Sequence, residues 1–542
     1  PYLGSIPLFD RGEPREALAV QDIVQRGEWL VPLKRATDIP SKPPLMHWSA
    51  ALVSKLTGSL SEATVRFPSA LYATFGVLLI YWLGRKLFDS KTALLGAAIL
   101  ATTMVYQDQA VSARVDMTLC FFVTASLVLF YSLYRGYLKN PLWFYVFYGV
   151  VGIGTLAKGP LAVVLAGLVA GSLALVERRW DMIRKFCFHP GVLLTLVLAT
   201  GWYVVAVTRG GEGFFDRQIL EENLSRFAGG SGHSHPIYYY IPYLFTQNMP
   251  WGLFLRVLLW DLFRSGIRAN SNTLFLKLWF LVMFVFFSVS VGKRAVYLLP
   301  LYPALSLLLA GWFYEAKNAG KGRLAIYRGI GVFAVVTGVL LLVITFGALW
   351  NHDNGWFFAP IEGLLRPKDR ANVLAVRNQL DDFGWIFTLM SLIVGSLWLT
   401  LSRSLWHGQM RSVAHQMVVI SLIHCTVGWS IIMPVIAQGK SYREFMIEVN
   451  QRVKLRDKLY IYGRFNSDAV VFYRGRAVEQ LEQPIEAVAG KAGSGNDYVI
   501  MPERSLKEIQ RVWGHLPPPL LKSEGRGPEG DAPLVLVQAD LP

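Results

Sequence analysis

At 542 residues, 53% of them hydrophobic, with 17 Trp and a mean hydropathy of +0.38, the chain is too apolar for an ordinary soluble enzyme. A formal charge of +16 would suit nucleic acid, but the Lys and Arg residues cluster in every second loop between apolar stretches. That is the pattern of cytoplasmic loops in a membrane protein; it excludes nucleic acid and leaves anionic headgroups as partners for the residual basicity.

In chain order, no signal peptide or span precedes Pro1, so a first helix is expected upstream. In the first loop, residues 1–65, Pro14 suits the first turn of a helix that runs to about Gln25 and is closed by Gly27. Glu13 then falls at the N-cap, where exposed amides and the macrodipole favour a carboxylate. Spacing alone leaves two readings of Glu13 open: a capping acid, or a base accepting a proton from an acceptor hydroxyl. Lys42 stands before Pro43-Pro44, which stiffen the start of an apolar helix Leu45–Leu56. An ammonium beside a helix N-terminus reads as a phosphate site or as a snorkelling interfacial lysine.

About 12 apolar spans follow, near 66–84, 92–106, 117–134, 142–157, 160–176, 191–207, 251–263, 274–290, 298–314, 329–350, 384–401 and 413–436, each near the length that crosses roughly 30 Å of hydrocarbon. Arg85-Lys86, Arg178-Arg179 with Arg184-Lys185, Arg264 with Arg268, and Lys321 with Arg323 mark alternate loops as cytoplasmic. The remaining loops, including 107–116, the turn at Lys158, 208–250, 291–297 and everything after about 437, fall on the outer side. The even number of spans places both ends there. On that side Arg114 and Asp116 open a span, Lys158 sits in a short turn, and Lys293-Arg294 precede Tyr297 and Pro300. Singly these read as surface anchors; together they supply cations for a phosphate leaving group and carboxylates for a base, an inventory suited to a phosphorylated lipid. His233 and His235 read as hydrogen-bonding or solvated. Cys120, Cys187 and Cys425 offer neither a metal cluster nor a disulfide framework.

From Ser441 the periodicity changes to helix Tyr442–Val453, strands Lys458–Tyr462, Ala469–Tyr473 and Tyr498–Met501, helix Leu506–Trp513, a loop Leu516–Pro533 and strand Leu534–Val537. This predicts a small α/β domain over 438–542 behind a membrane domain over 1–437. No nucleophile elbow, P-loop or metal motif is present in it.

The ordered set Leu8–Arg15, Gly27–Pro32, Lys42-Pro43-Pro44-Leu45, Arg114-Val115-Asp116, Lys158-Gly159-Pro160, Glu222–Phe227 with His233–Pro242, and Lys293–Pro300 resembles glycosyltransferase family 39 and the related aminoarabinose transferases acting on lipid A. The resemblance runs from Pro1 to about Val435 and is weaker in the tail. It implies a mainly α, polytopic GT-C fold. The implied activity is transfer of a sugar from a polyprenyl-phosphate donor, such as an undecaprenyl phosphate sugar, to a lipid A, glycan or protein acceptor at the periplasmic face of a bacterial inner membrane. By the match, Lys42 and Tyr297 hold the carrier phosphate with Arg226 or Lys293-Arg294 nearby, Arg15, Arg114 and Lys158 add positive charge, and Asp116 is the site's second acid.

Two departures stand out. Gly12 occupies the place of the family's catalytic Asp, which leaves Glu13, Glu16 or Asp10 to take its role, or an anionic acceptor that needs no base. Ser41 and Asn223 replace the metal ligands of the aminoarabinose transferases, which argues against a structural zinc; no nucleotide cofactor is expected, and a divalent metal stays open. A lipid-linked substrate transporter or flippase, or a non-catalytic polyprenyl-phosphate-binding relative, are the rival readings. Against the first, the motif charges gather at one membrane face and no internal repeat is evident.

Overall fold

The computed structural model describes residues 3–10, 12–35, 38–39, 42–216, 234–265, 271–315, 321–350, 363, 388–454, 456–481, 497–513, 518–527 and 533–538. Ten helices are labelled here: α1 (Gly12–Arg26), α2 (Leu45–Thr57), α3 (Glu62–Leu87), α4 (Ser90–Thr102), α5 (Met104–Ala110), α6 (Val115–Tyr134), α7 (Leu142–Lys158), α8 (Leu161–Val176), α9 (Trp180–Cys187) and α10 (Gly191–Phe215).

Local chemistry accounts for their ends. The Asp10 carboxylate accepts the Gly12 N–H at 2.6 Å, which makes Asp10, and not Glu13, the side chain that serves the free amides of α1. Glu13 sits one residue inside the helix, a correction to the N-cap position expected from Pro14. Gly27, with φ +72, closes α1 as expected. Pro44 precedes α2, and Ser61 and Thr64 form a capping box that starts α3. Gly159 and Pro160 separate α7 from α8 and leave Lys158 as the last residue of α7.

Among the described residues seven helices are long and apolar enough to cross a membrane, and four shorter apolar helices accompany them. These eleven match eleven of the stretches expected from hydropathy. The twelfth, 251–263, is instead a 3-10 turn, Trp251–Phe254, followed by an 11-residue helix, Leu255–Ser265, interrupted by Arg256, Asp261 and Arg264. Two spans are central. In the most apolar stretch of α6 83% of the residues are buried and in that of Ala295–Glu315 89%, against 22% for Gly191–Arg209, which faces outward. A helix apolar on all sides belongs in the core. Both central helices begin at the same end of the bundle, at Asp116 and near Tyr297, and the candidate site lies there.

The tail forms a five-stranded sheet in the order β2-β1-β3-β5-β4, with β1 Leu459–Tyr462, β2 Glu479–Leu481, β3 Tyr498–Pro502, β4 Leu521–Lys522 and β5 Leu534–Gln538. Pairs β1/β2 and β1/β3 are parallel; β3/β5 and β4/β5 are antiparallel. Two expectations are corrected. Residues 469–473 lie in a helix, Asp468–Arg474, because parallel β1 and β2 need a crossover between them and a buried apolar run serves a helix as well as a strand. The stretch 516–533 is not wholly loop, since it contains β4.

The sheet domain sits on the first loop. Its helices Arg443–Arg452 and Asp468–Arg474 share a core with Leu18, Val20 and Ile23 of α1. Arg35 Nη2 meets Asp468 Oδ1 at 2.5 Å, the Leu8 N–H donates to Tyr473 Oη at 2.8 Å, and Arg443 lies 3.3 Å from Glu62. The tail thus steadies α1, the helix that carries the first site residues.

Candidate active site

A small, polar cleft of about 30 Å³ is lined by Arg15, Glu16, Lys42, Arg114, Val115, Asp116, Lys158, Arg294, Val296 and Tyr297. Five separate segments contribute, all assigned by charge alternation to one face. The first turn of α6 supplies Asp116, whose Oδ1 takes the Lys158 ammonium at 2.5 Å. That ammonium also lies 4.4 Å from the centre of the Tyr297 ring, so one lysine at the end of α7 ties α6 to the 294–297 segment.

On the α1 wall, Arg15 donates to Glu16 Oε1 through Nε at 3.0 Å and Nη2 at 2.6 Å, while His47 Nε2 lies 2.8 Å from Glu16 Oε2. Burial pushes the Glu16 carboxyl up, but Arg15 and His47 outweigh it and hold the group far below the usual carboxylate range. The folded-state value is therefore the lower one. Ionised Glu16 contributes stability above the ordinary range near 4.5, and this is lost only as pH falls toward the folded-state value. The thermal midpoints of wild type and Glu16→Gln are expected to differ at neutral pH and to converge on strong acidification. A gap that stays constant with pH would contradict the assignment.

At the rim, Arg114 Nη1 donates to Asp10 Oδ1 at 2.8 Å. The Arg114 guanidinium lies against Gly12: a Cβ at residue 12 would stand 2.9 Å from Arg114 Cζ. The glycine that departs from the family pattern is thus a point of close approach for a cation.

Two described candidates from the sequence, Glu13 and Lys293, turn away from the cleft. Glu13 is 1% exposed and turned inward, where Arg66 holds both oxygens, Nε to Oε1 at 2.7 Å and Nη2 to Oε2 at 2.8 Å; the Ala113 N–H adds a third bond at 2.9 Å. Lys293 is buried, with its ammonium donating to the carbonyls of Ser290 and His235. Arg226 lies outside the described residues, as do Ser41, Asn223 and His233. His235 stacks on Tyr239 at 4.2 Å. Among the described residues no three His, Cys, Asp or Glu gather as a metal site.

Sequence reasoning missed Arg66 and His47. Arg66 is 2% exposed and spends all five of its donors, on Glu13 and on the carbonyls of Leu3, Ile6 and Pro7. The signal was available: an arginine near the start of an otherwise apolar span requires a partner.

Known proteins resemble the chain in sequence and in fold. Residues 41–204 match a family model described as dolichyl-phosphate-mannose-protein mannosyltransferase. The undecaprenyl phosphate-alpha-4-amino-4-deoxy-L-arabinose arabinosyl transferase of Pectobacterium atrosepticum is 28% identical over 366 residues, which is 66% of this chain and 64% of that one. Its counterpart from Pseudomonas fluorescens is 30% identical over 350 residues, 62% of each. The chain therefore spans just under two thirds of the length of these curated relatives. The crystal structure of ArnT from Cupriavidus metallidurans bound to undecaprenyl phosphate superposes with a TM-score of 0.77 at 18% identity, covering 99% of this chain, tail included, and 95% of that one. The chain is a multi-pass membrane protein of the GT-C fold, similar in sequence to the aminoarabinose transferases and in architecture to ArnT.

Proposed function

We propose that the chain is a glycosyltransferase that moves a sugar, a pentose of the aminoarabinose type in the closest reading of the relatives' names, from an undecaprenyl phosphate donor to a lipid A or other envelope acceptor at the outer face of a bacterial inner membrane. The observation that carries the reading is the cleft itself. Arg15, Lys42, Arg114, Lys158 and Arg294 converge there with Tyr297, Glu16 and Asp116 at one end of the two central helices.

In this mechanism Lys42, Arg294 and Lys158 surround the carrier phosphate, and their charge stabilises it as the bond to the anomeric carbon breaks. The acceptor oxygen attacks that carbon and its proton passes to Asp116. Protonation of Asp116 releases the Lys158 ammonium toward the departing phosphate. Glu16, held by Arg15 and His47, positions the acceptor. Glu13 takes no chemical part. The reading gives no part to a nucleotide or to a metal.

Incubation of membranes containing the protein with labelled undecaprenyl phosphate sugars and lipid A tests the reading; an unchanged donor pool would end it. Lys42→Ala is expected to weaken carrier-phosphate binding by about 1.5–3 kcal/mol, the worth of a charge-assisted contact. Binding of undecaprenyl phosphate measured on the purified variant checks this, and unchanged affinity would remove Lys42 from the site.

Orientation has its own test. Ser5 and Ser90 are both exposed, at opposite ends of α3. With single cysteines placed there, a membrane-impermeant maleimide added to intact cells with a permeabilised outer membrane should label residue 5 and not residue 90. The reverse result would put the cleft in the cytoplasm.

A further inference from the structure

A second cavity, of about 400 Å³, lies among α6, α7, α8, α9 and α10, with Phe130, Phe147, Val151, Ala166, Ala170 and Phe186 in its wall. It is remote from the candidate site. Phe130 stands 14 residues beyond Asp116 on α6, roughly 21 Å along the helix axis. The size falls in the range of small-molecule sites, roughly 300–1,000 Å³.

Its chemistry is that of a hydrocarbon slot. The hydroxyls in its wall are spent on the protein, which leaves only the weakly polar Cys187 thiol: Thr195 Oγ1 donates to the Tyr148 carbonyl at 2.8 Å, and the Tyr148 hydroxyl donates to the Phe186 carbonyl. A strongly polar ligand would lose its water there with little in return. Ala166, Gly167, Ala170 and Gly171 leave one side of α8 without bulk, and this is where the space opens.

The rim points to the rest of the occupant. Helix α9 turns Met182, Ile183 and Phe186 into the cavity, while Arg184 and Lys185 between them are exposed. The Lys185 ammonium lies 4.9 Å from the Phe144 ring centre, at the edge of the slot. Trp180 and Phe188, at the two ends of α9, are 59% and 85% exposed. An amphipathic helix with aromatic ends and a basic face is built to lie at a bilayer surface. The Lys185 ammonium stands beside the slot, with exposed Arg184 adjacent in the chain, where an anionic headgroup would sit if a chain of the same lipid filled it.

We propose that this cavity is a structural site for one anionic glycerophospholipid of the leaflet opposite the candidate active site, with an acyl chain among α6, α7, α8 and α10 and its phosphate against Arg184 and Lys185. The site locks α9 against the bundle. It is independent of the sugar-transfer reading.

The full chain, purified in mild detergent and offered phosphatidylglycerol and phosphatidylcholine of identical chains, should retain one phosphatidylglycerol in native mass spectrometry. Ala170→Trp fills the slot and should abolish retention of both lipids. Arg184→Gln with Lys185→Gln, two exposed positions that do not threaten folding, should keep chain binding but reduce the preference for phosphatidylglycerol by roughly 30-fold, the weight of two basic residues at a membrane surface. Equal retention by wild type and Ala170→Trp, an unchanged preference in the double variant, or stoichiometric displacement of the phospholipid by undecaprenyl phosphate would each overturn the proposal.

Discussion

Asp116→Asn is expected to cut sugar transfer by about 10²–10⁴-fold, the usual worth of general-base assistance, while leaving donor affinity close to that of the wild type. Four carboxylates compete for the role, and geometry separates them. Glu13 is sealed behind Arg66, and Asp10 stands at the rim, where it serves the Gly12 amide and Arg114. Glu16 lines the cleft but has Arg15 on one oxygen and His47 on the other. Asp116 lines the cleft at the start of a central helix with the Lys158 ammonium on Oδ1, and in the proposed mechanism that lysine turns from carboxylate to phosphate during the reaction. Steady-state turnover at saturating donor, read beside equilibrium donor binding, checks this. A fully active Asp116→Asn together with an inactive Glu16→Gln would move the base to α1.

Glu13→Gln is expected to fail differently. Removing one partner of a buried ion pair costs about 3–5 kcal/mol, because the other charge stays buried without compensation. Arg66 is 2% exposed and would keep its charge. It also fastens the carbonyls of Leu3, Ile6 and Pro7, so the segment leading into α1 should loosen with it. The expected result is a large fall in the thermal midpoint in detergent, with turnover per folded molecule within a few-fold of wild type. Adding Arg66→Gln should recover part of the loss, since the two residues couple directly. Normal stability with turnover lost would return Glu13 to the chemistry.

The contrast between these two residues shows where sequence reasoning stops. The composition, the alternating basic loops and the apolar windows determine a polytopic helical protein, because membrane spans are long local signals fixed by hydrocarbon thickness. Proline, glycine and capping residues determine where α1, α2 and α3 begin and end, since those effects act within a turn. The ordered motifs also select Lys42, Arg114, Asp116, Lys158 and Tyr297 as one group, and the fold gathers all five at one cleft.

Only the tertiary structure decided which way each charge points. Glu13 meets a partner 53 residues away and an amide 100 residues away, and nothing in the local pattern says that it turns to Arg66 and not to the cleft. Lys293 and Arg294 are adjacent, yet one donates to nearby carbonyls while the other lines the site. The stretch 468–474 reads as well as a strand as a helix, until the parallel pairing of β1 with β2 demands a crossover. In each case the residue's chemistry was legible and its direction was not, because direction is set by long-range packing and by the cost of leaving a buried charge or amide without a partner.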